Sequence, residues 1–113
     1  MPRVAAITAA LLLLTAGSAF AKAPLLWNLT VNTMNSVLIS PAGKDQWGTD
    51  EIVNDKDGSV DPDERLKITG VADGTYDVKF KDVKGRTCLV RNVAIQADKI
   101  FSIDEKDLKG CTK

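Results

Sequence analysis

From residue 22 onward the chain alternates apolar and polar positions in short runs. Residues 27–32 place Trp27, Leu29 and Val31 on one face and polar side chains on the other, the period of a half-buried strand. Residues 36–40 repeat the signal and stop at Pro41, and the short connector from Thr33 predicts that these two strands form an antiparallel hairpin. Residues 65–69, 75–81, 87–95 and 99–103 add four more strands. The clearest is 75–81, where Tyr76, Val78 and Phe80 oppose Asp77, Lys79 and Lys81. Its expected hairpin partner, 87–95, is apolar but interrupted by Arg91 and Asn92, which predicts a bulge or an edge position. Residues 104–108 are expected to form one helical turn near the C-terminus.

Glycine and proline turns separate these strands, and no amphipathic helical window intervenes after residue 22. The expected fold is therefore all-β, a small antiparallel β-sandwich or open barrel of about six strands. No internal repeat is present.

The first 21 residues break the pattern. Arg3, an apolar run over 4–14 and the small-x-small triplet Ala19, Phe20, Ala21 together read as an export signal, with the mature chain starting at Lys22. The run is shorter than the roughly 20 residues a membrane span needs, so no membrane span is expected once the signal is removed. Residues 22–113 then form a single domain, periplasmic or secreted. In such a compartment Cys88 and Cys111 are expected to form a disulfide that pins the tail to strand 87–95. No histidine and no C-x-x-C spacing support a thiolate metal or redox site instead.

Charge changes the picture further. The mature chain carries 14 basic and 15 acidic residues, a balance that argues against nucleic-acid binding. The balance is uneven: residues 45–64 hold eight acids against one lysine, and the remainder of the mature chain is net basic. The sharpest stretch is 50–64, DEIVNDKDGSVDPDE.

That stretch resembles the calcium-binding loop of the EF-hand. With Gly58 at the sixth of twelve positions, Asp55 falls at position 3, Asp57 at 5, Ser59 at 7 through its carbonyl, Asp61 at 9 and Glu64 at 12. Val60 occupies the apolar position 8. DKDGSVD is similar to the loops of small exported calcium and lanthanide binders such as lanmodulin. The departure is position 1, where Val53 supplies no side-chain oxygen; Asp50 and Asn54 are the available auxiliaries. The resemblance implies a bound hard cation, calcium or a lanthanide. The other reading of the same residues is a solvated turn, since Asp, Asn, Gly and Pro are turn formers.

Enzyme chemistry has little to stand on. Without histidine the commonest general base is missing, and Ser-His-Asp or Cys-His arrangements are excluded. There is no phosphate-cradling glycine loop and no aromatic-basic ladder for nucleic acid. The basic residues Lys79, Lys81, Lys84 and Arg86 read as an exposed strand face running into a hairpin.

Trp27-Asn28, Trp47-Gly-Thr-Asp50, Pro62-Asp-Glu64, Tyr76-Asp77 and the segment 85–93 resemble a family of small uncharacterised exported β-sandwich proteins of proteobacteria. Two departures stand out: Thr75 replaces a cysteine that often precedes the Tyr-Asp pair, and the stretch from Trp47 to Pro62 is longer. The resemblance implies the sandwich fold and brings no function. Two functional expectations follow from the residues: a non-enzymatic protein binding a hard cation through Asp50, Asn54, Asp55, Asp57, Ser59, Asp61 and Glu64, or an interaction or inhibitor-type module offering the acidic loop to a basic periplasmic protein without metal.

Overall fold

The computed structural model describes residues 22–113; the segment 1–21, read above as an export signal, lies outside the described residues. Seven strands form two sheets: β1 (Leu25–Leu29), β2 (Met34–Pro41), β3 (Arg65–Lys67), β4 (Gly74–Asp82), β5 (Thr87–Ile95), β6 (Ile100–Asp104) and β7 (Gly110–Thr112). One sheet runs β3-β1-β6 and the other β2-β4-β5-β7. The chain is all-β, as the alternation predicts, and strand pairing is antiparallel except between β1 and β6.

The core lies between the sheets. Leu26, Leu66, Phe101 and Ile103 from one face Val37, Ile39, Val78, Phe80, Cys88 and Ile95 from the other, all buried. On β4 the inward set begins with the half-buried Tyr76 and continues through Val78 and Phe80, as the period-2 pattern requires. Asp77, on the opposite face, is nevertheless fully buried.

Two expectations fail at the start of the chain. β1 and β2 do not form a hairpin; they lie in different sheets. Moreover, Leu26, Asn28 and Thr30 face inward, not Trp27, Leu29 and Val31. The physical reason for both is a polar arch. Asn28 Nδ2 donates to the carbonyls of Asn32 at 3.0 Å and Val60 at 2.9 Å, while its Oδ1 accepts from the Thr30 N–H and hydroxyl. With its polar groups paired, Asn28 is stable inside, and the chain crosses to the second sheet. The edges of β1 are taken by β3 and β6 instead.

The hairpin of β4 and β5 forms as expected, and its register shifts between Tyr76 and Val78, opposite Arg91 and Asn92. Asn92 adopts a positive φ of 60° there, a bulge conformation that asparagine tolerates. Cys88 and Cys111 form the disulfide and face each other across β5 and β7. β7 is a seventh strand that the alternation did not reveal. It packs closely because residue 110 is glycine: a Cβ there would sit 3.0 Å from the Leu89 carbonyl oxygen. The turn expected at 104–108 is a single 3-10 turn, Glu105–Asp107.

The sheets are tied at one end by ions. Arg86 bridges the buried Asp82 at 2.8 Å and Glu105 at 2.7 Å, and Glu105 also accepts from the Val31 N–H. Glu105 above all, then Asp82, holds the Arg86 guanidinium above its ordinary value. Arg86 in turn pulls the Glu105 carboxyl down, against the effect of burial. No helix among the described residues is long and apolar enough to cross a membrane.

Candidate functional site

The acidic stretch connects β2 to β3 and is built into the body at three points. Asp50 caps the 3-10 turn Glu51–Asn54, its Oδ1 accepting from the Ile52 N–H at 3.0 Å and from the Val37 N–H of β2 at 2.8 Å. Its Oδ2 accepts from the Ser36 hydroxyl at 2.7 Å. Burial alone would raise the Asp50 carboxyl, but the Val37, Ser36 and Ile52 donors and the charge of Lys81 together hold it below the ordinary carboxylate range.

Val60 is the second anchor. It is fully buried and exchanges both backbone hydrogen bonds with Met34 at 2.9 Å. The third is the pairing of residues 63 and 64 with β1: the Asp63 N–H donates to the Asn28 carbonyl, and Glu64 accepts from the Asn28 N–H at 2.9 Å. Trp27 Nε1 donates to Asp63 Oδ1 at 3.0 Å, and the Arg65 guanidinium stacks 4.4 Å from the Trp27 ring centre.

Between these anchors most of the acids have a donor of their own, and among the described residues Asp57 does not. Asp55 Oδ2 accepts from the Asp57 N–H at 2.9 Å and, more weakly, from Ser59 N–H, folding a tight turn around Gly58 at φ 70°. Asp61 Oδ1 accepts from the Thr33 hydroxyl at 2.8 Å, and Glu64 Oε1 from the Asp61 N–H at 2.9 Å. Asn54 Nδ2 donates to Glu51 and to the Lys67 carbonyl. Asp57 is exposed and has no side-chain partner among the described residues. No group of three Asp, Glu, His or Cys side chains able to hold a metal ion occurs among the described residues. Asp61 and Glu64 are brought together, Asp50 is turned towards β2, and Asp57, Asp61, Asp63 and Glu64 lie exposed along the loop.

The basic strip resolves into separate roles. Arg86 belongs to the inter-sheet ion network, and the Lys79 ammonium sits 4.4 Å from the Trp47 ring centre.

One site was not legible beforehand. Beside the loop is an open cleft of about 440 Å³, lined by Ile39, Pro41, Thr49, Glu51, Val71 and Tyr76 among others. Glu51 is 8% exposed, and its Oε1 accepts from the Thr69 N–H at 2.8 Å, the Thr69 hydroxyl and Asn54 Nδ2. In the sequence it is one acid among eight, and its main partner lies 18 residues away. A second cleft, about 670 Å³, opens along the outer edge of β5 by Lys109 and Gly110. Its Arg91 and Asn92 are committed to Asp77, at 2.8 and 3.0 Å.

Comparison with known proteins gives no relative to transfer a role from: the chain matches no family model, no curated protein and no solved structure.

Proposed function

We propose that this is a non-enzymatic binding protein of the periplasm or cell exterior that offers its acidic loop to a basic protein partner. The observation that carries this reading is the spread of the loop carboxylates. Asp55, Asp61, Asp63 and Glu64 are each oriented by a donor of the fold, and Asp57, Asp61, Asp63 and Glu64 are exposed. A preordered negative face loses little entropy on docking and steers a cationic partner towards it. The disulfide and the signal-like first 21 residues support export. The absence of histidine supports a role without catalysis.

The test is capture from periplasmic extract on immobilised protein, in the presence of chelator. A partner retained at low salt, released at high salt and lost by the variant carrying Asp57→Asn, Asp61→Asn and Asp63→Asn supports the reading. Retention unchanged by that triple variant removes it.

A second reading keeps the same loop for a hard cation, calcium or a lanthanide, held by Asp55, Asp57, Asp61 and Glu64 with the Ser59 carbonyl. It is favoured by the Gly58 turn, where the Gly58 N–H donates to the Asp55 carbonyl at 3.1 Å and residues 55–59 curl back on one carboxylate. The acid side chains would have to leave their present donors to converge. Calorimetric titration with calcium and with terbium decides it: no heat and no thermal shift at millimolar metal excludes this reading.

A further inference from the structure

The ion pairs of the described residues join Arg86 to Asp82 and Glu105, and Arg91 to Asp77 and Asp45; none reaches Glu51. Three donors converge on Glu51 Oε1, and none of the described residues donates to Oε2. Glu51, only 8% exposed as a residue, thus has no cation partner among the described residues and one oxygen without a protein donor. The other buried acids do not share this arrangement. Asp77 and Asp82 each use both oxygens and each hold an arginine.

The surroundings specify what would complete it. Glu51 and Thr69 line one side of the 440 Å³ cleft, and Ile39, Pro41, Val71 and the Tyr76 ring supply apolar wall. The Tyr76 hydroxyl is fixed on the Ala72 carbonyl at 2.6 Å, so its ring is held in place. The volume falls within the range of small-molecule sites, and the lining mixes these apolar walls with the polar groups of Gln46, Thr49 and Thr69. No cation pairs with Glu51 among the described residues, so a cationic donor on its open oxygen would supply both the missing hydrogen bond and the missing charge partner.

We infer that this cleft binds a primary alkylammonium group, its nitrogen on the free oxygen of Glu51 and its short apolar stem against Ile39, Val71 and Tyr76. The group is supplied either by a free small amine or by a lysine side chain of another protein. The inference is independent of the acidic-face reading, because Glu51 is buried and the proposed partner face consists of the exposed acids.

The experiment is a titration of the disulfide-intact protein followed by amide nitrogen–proton correlation spectra. The probes are n-butylamine, n-butanol, sodium chloride at matched ionic strength, and the blocked tripeptide acetyl-Gly-Lys-Gly-amide. Expected are saturable shifts at Glu51, Thr69, Val71 and Tyr76 with n-butylamine and none there with butanol or salt. Shifts with the free amine alone identify a small-molecule site, and shifts with both amine and tripeptide identify a lysine-accepting one. Glu51→Gln, which keeps an acceptor for Thr69, should weaken binding roughly tenfold or more. Val71→Trp, which adds bulk to the cleft wall and keeps Glu51 in the chain, should also abolish the shifts, so a folding defect in one variant does not decide the question. Equal response to butylamine and butanol, no response to either amine, or full binding by both folded variants overturns the inference.

Discussion

Arg91 donates to Asp77 at 2.8 Å from the strand opposite, and the backbone N–H of the next residue, Asn92, reaches the other oxygen of the same carboxylate at 3.0 Å. The Gly43 N–H, from the turn after β2, completes the set at 2.9 Å. One buried carboxylate therefore fixes a bulge and an adjoining turn together. The Gly43 N–H foremost, then Asn92 and Arg91, hold it below the ordinary carboxylate range in spite of burial.

Asp77→Ala should cost about 3 kcal/mol, because it removes the shared acceptor of the Gly43 and Asn92 N–H groups and the ion-pair partner of the half-exposed Arg91. Urea unfolding measures the loss. Amide exchange should rise at Gly43 and Asn92 more than at Val37, which Asp77 does not touch.

Stability should fall in acid. Asp77, Asp82, Asp50 and Glu105 all have lowered values in the fold. For Asp82 burial works against ionisation, and Arg86, Asn32 and Lys84 outweigh it. Groups lowered on folding contribute their stability above the unfolded value, about 4 for carboxylates, and lose it as pH drops through the folded value. Melting temperature should thus be flat from about pH 5 to 7 and decline below about pH 4. Asp82→Asn should melt lower at neutral pH and show a shallower acid decline; an equally steep decline would show that Asp82 is not among the groups responsible.

Replacing the disulfide by Cys88→Ala with Cys111→Ser should destabilise the domain by about 3 kcal/mol, and reductant on the native protein should act similarly. For a domain of this size that lowers the melting temperature by roughly 10–20 °C. Limited proteolysis should then trim the chain after β6, since β7 pairs with β5 over only three residues.

Within the acidic loop, two valines should behave oppositely. Val60 is fully buried, so Val60→Ala should cost about 2 kcal/mol. Val53 is 70% exposed, and Val53→Ala should stay within about 0.5 kcal/mol. Thermal melts of the pair separate a loop integrated into the core from one merely hung on it.

What could be read from the sequence divides by range of interaction. The strand at 75–81, its partner and the bulge at Arg91 and Asn92 were legible, because alternation and its interruption are local signals. The disulfide followed from two cysteines in a chain whose first residues read as an export signal. The phase of β1 was not legible: Leu25, Leu26 and Trp27 are all apolar, and Asn28 and Thr30 face inward only because Val60 and Asn32, distant or beyond the strand, accept their hydrogens. β7 has no apolar pattern of its own and is held by Cys111. In the acidic loop, EF-like spacing marked the positions of the acids, while their actual partners, Thr33 for Asp61, Ser36 and Val37 for Asp50 and Thr69 for Glu51, come from elsewhere in the chain.

The bulge has one more effect. β7 covers β5 only at residues 87–89, so the rest of that strand borders the open side of its sheet. A flat edge there would be a template for other chains. Asn92, with its left-handed backbone, and Arg91, drawn onto Asp77, bend and charge that edge where β7 stops. The same two residues that shape the hairpin thereby give that edge the bend and the charge that disfavour pairing with another strand.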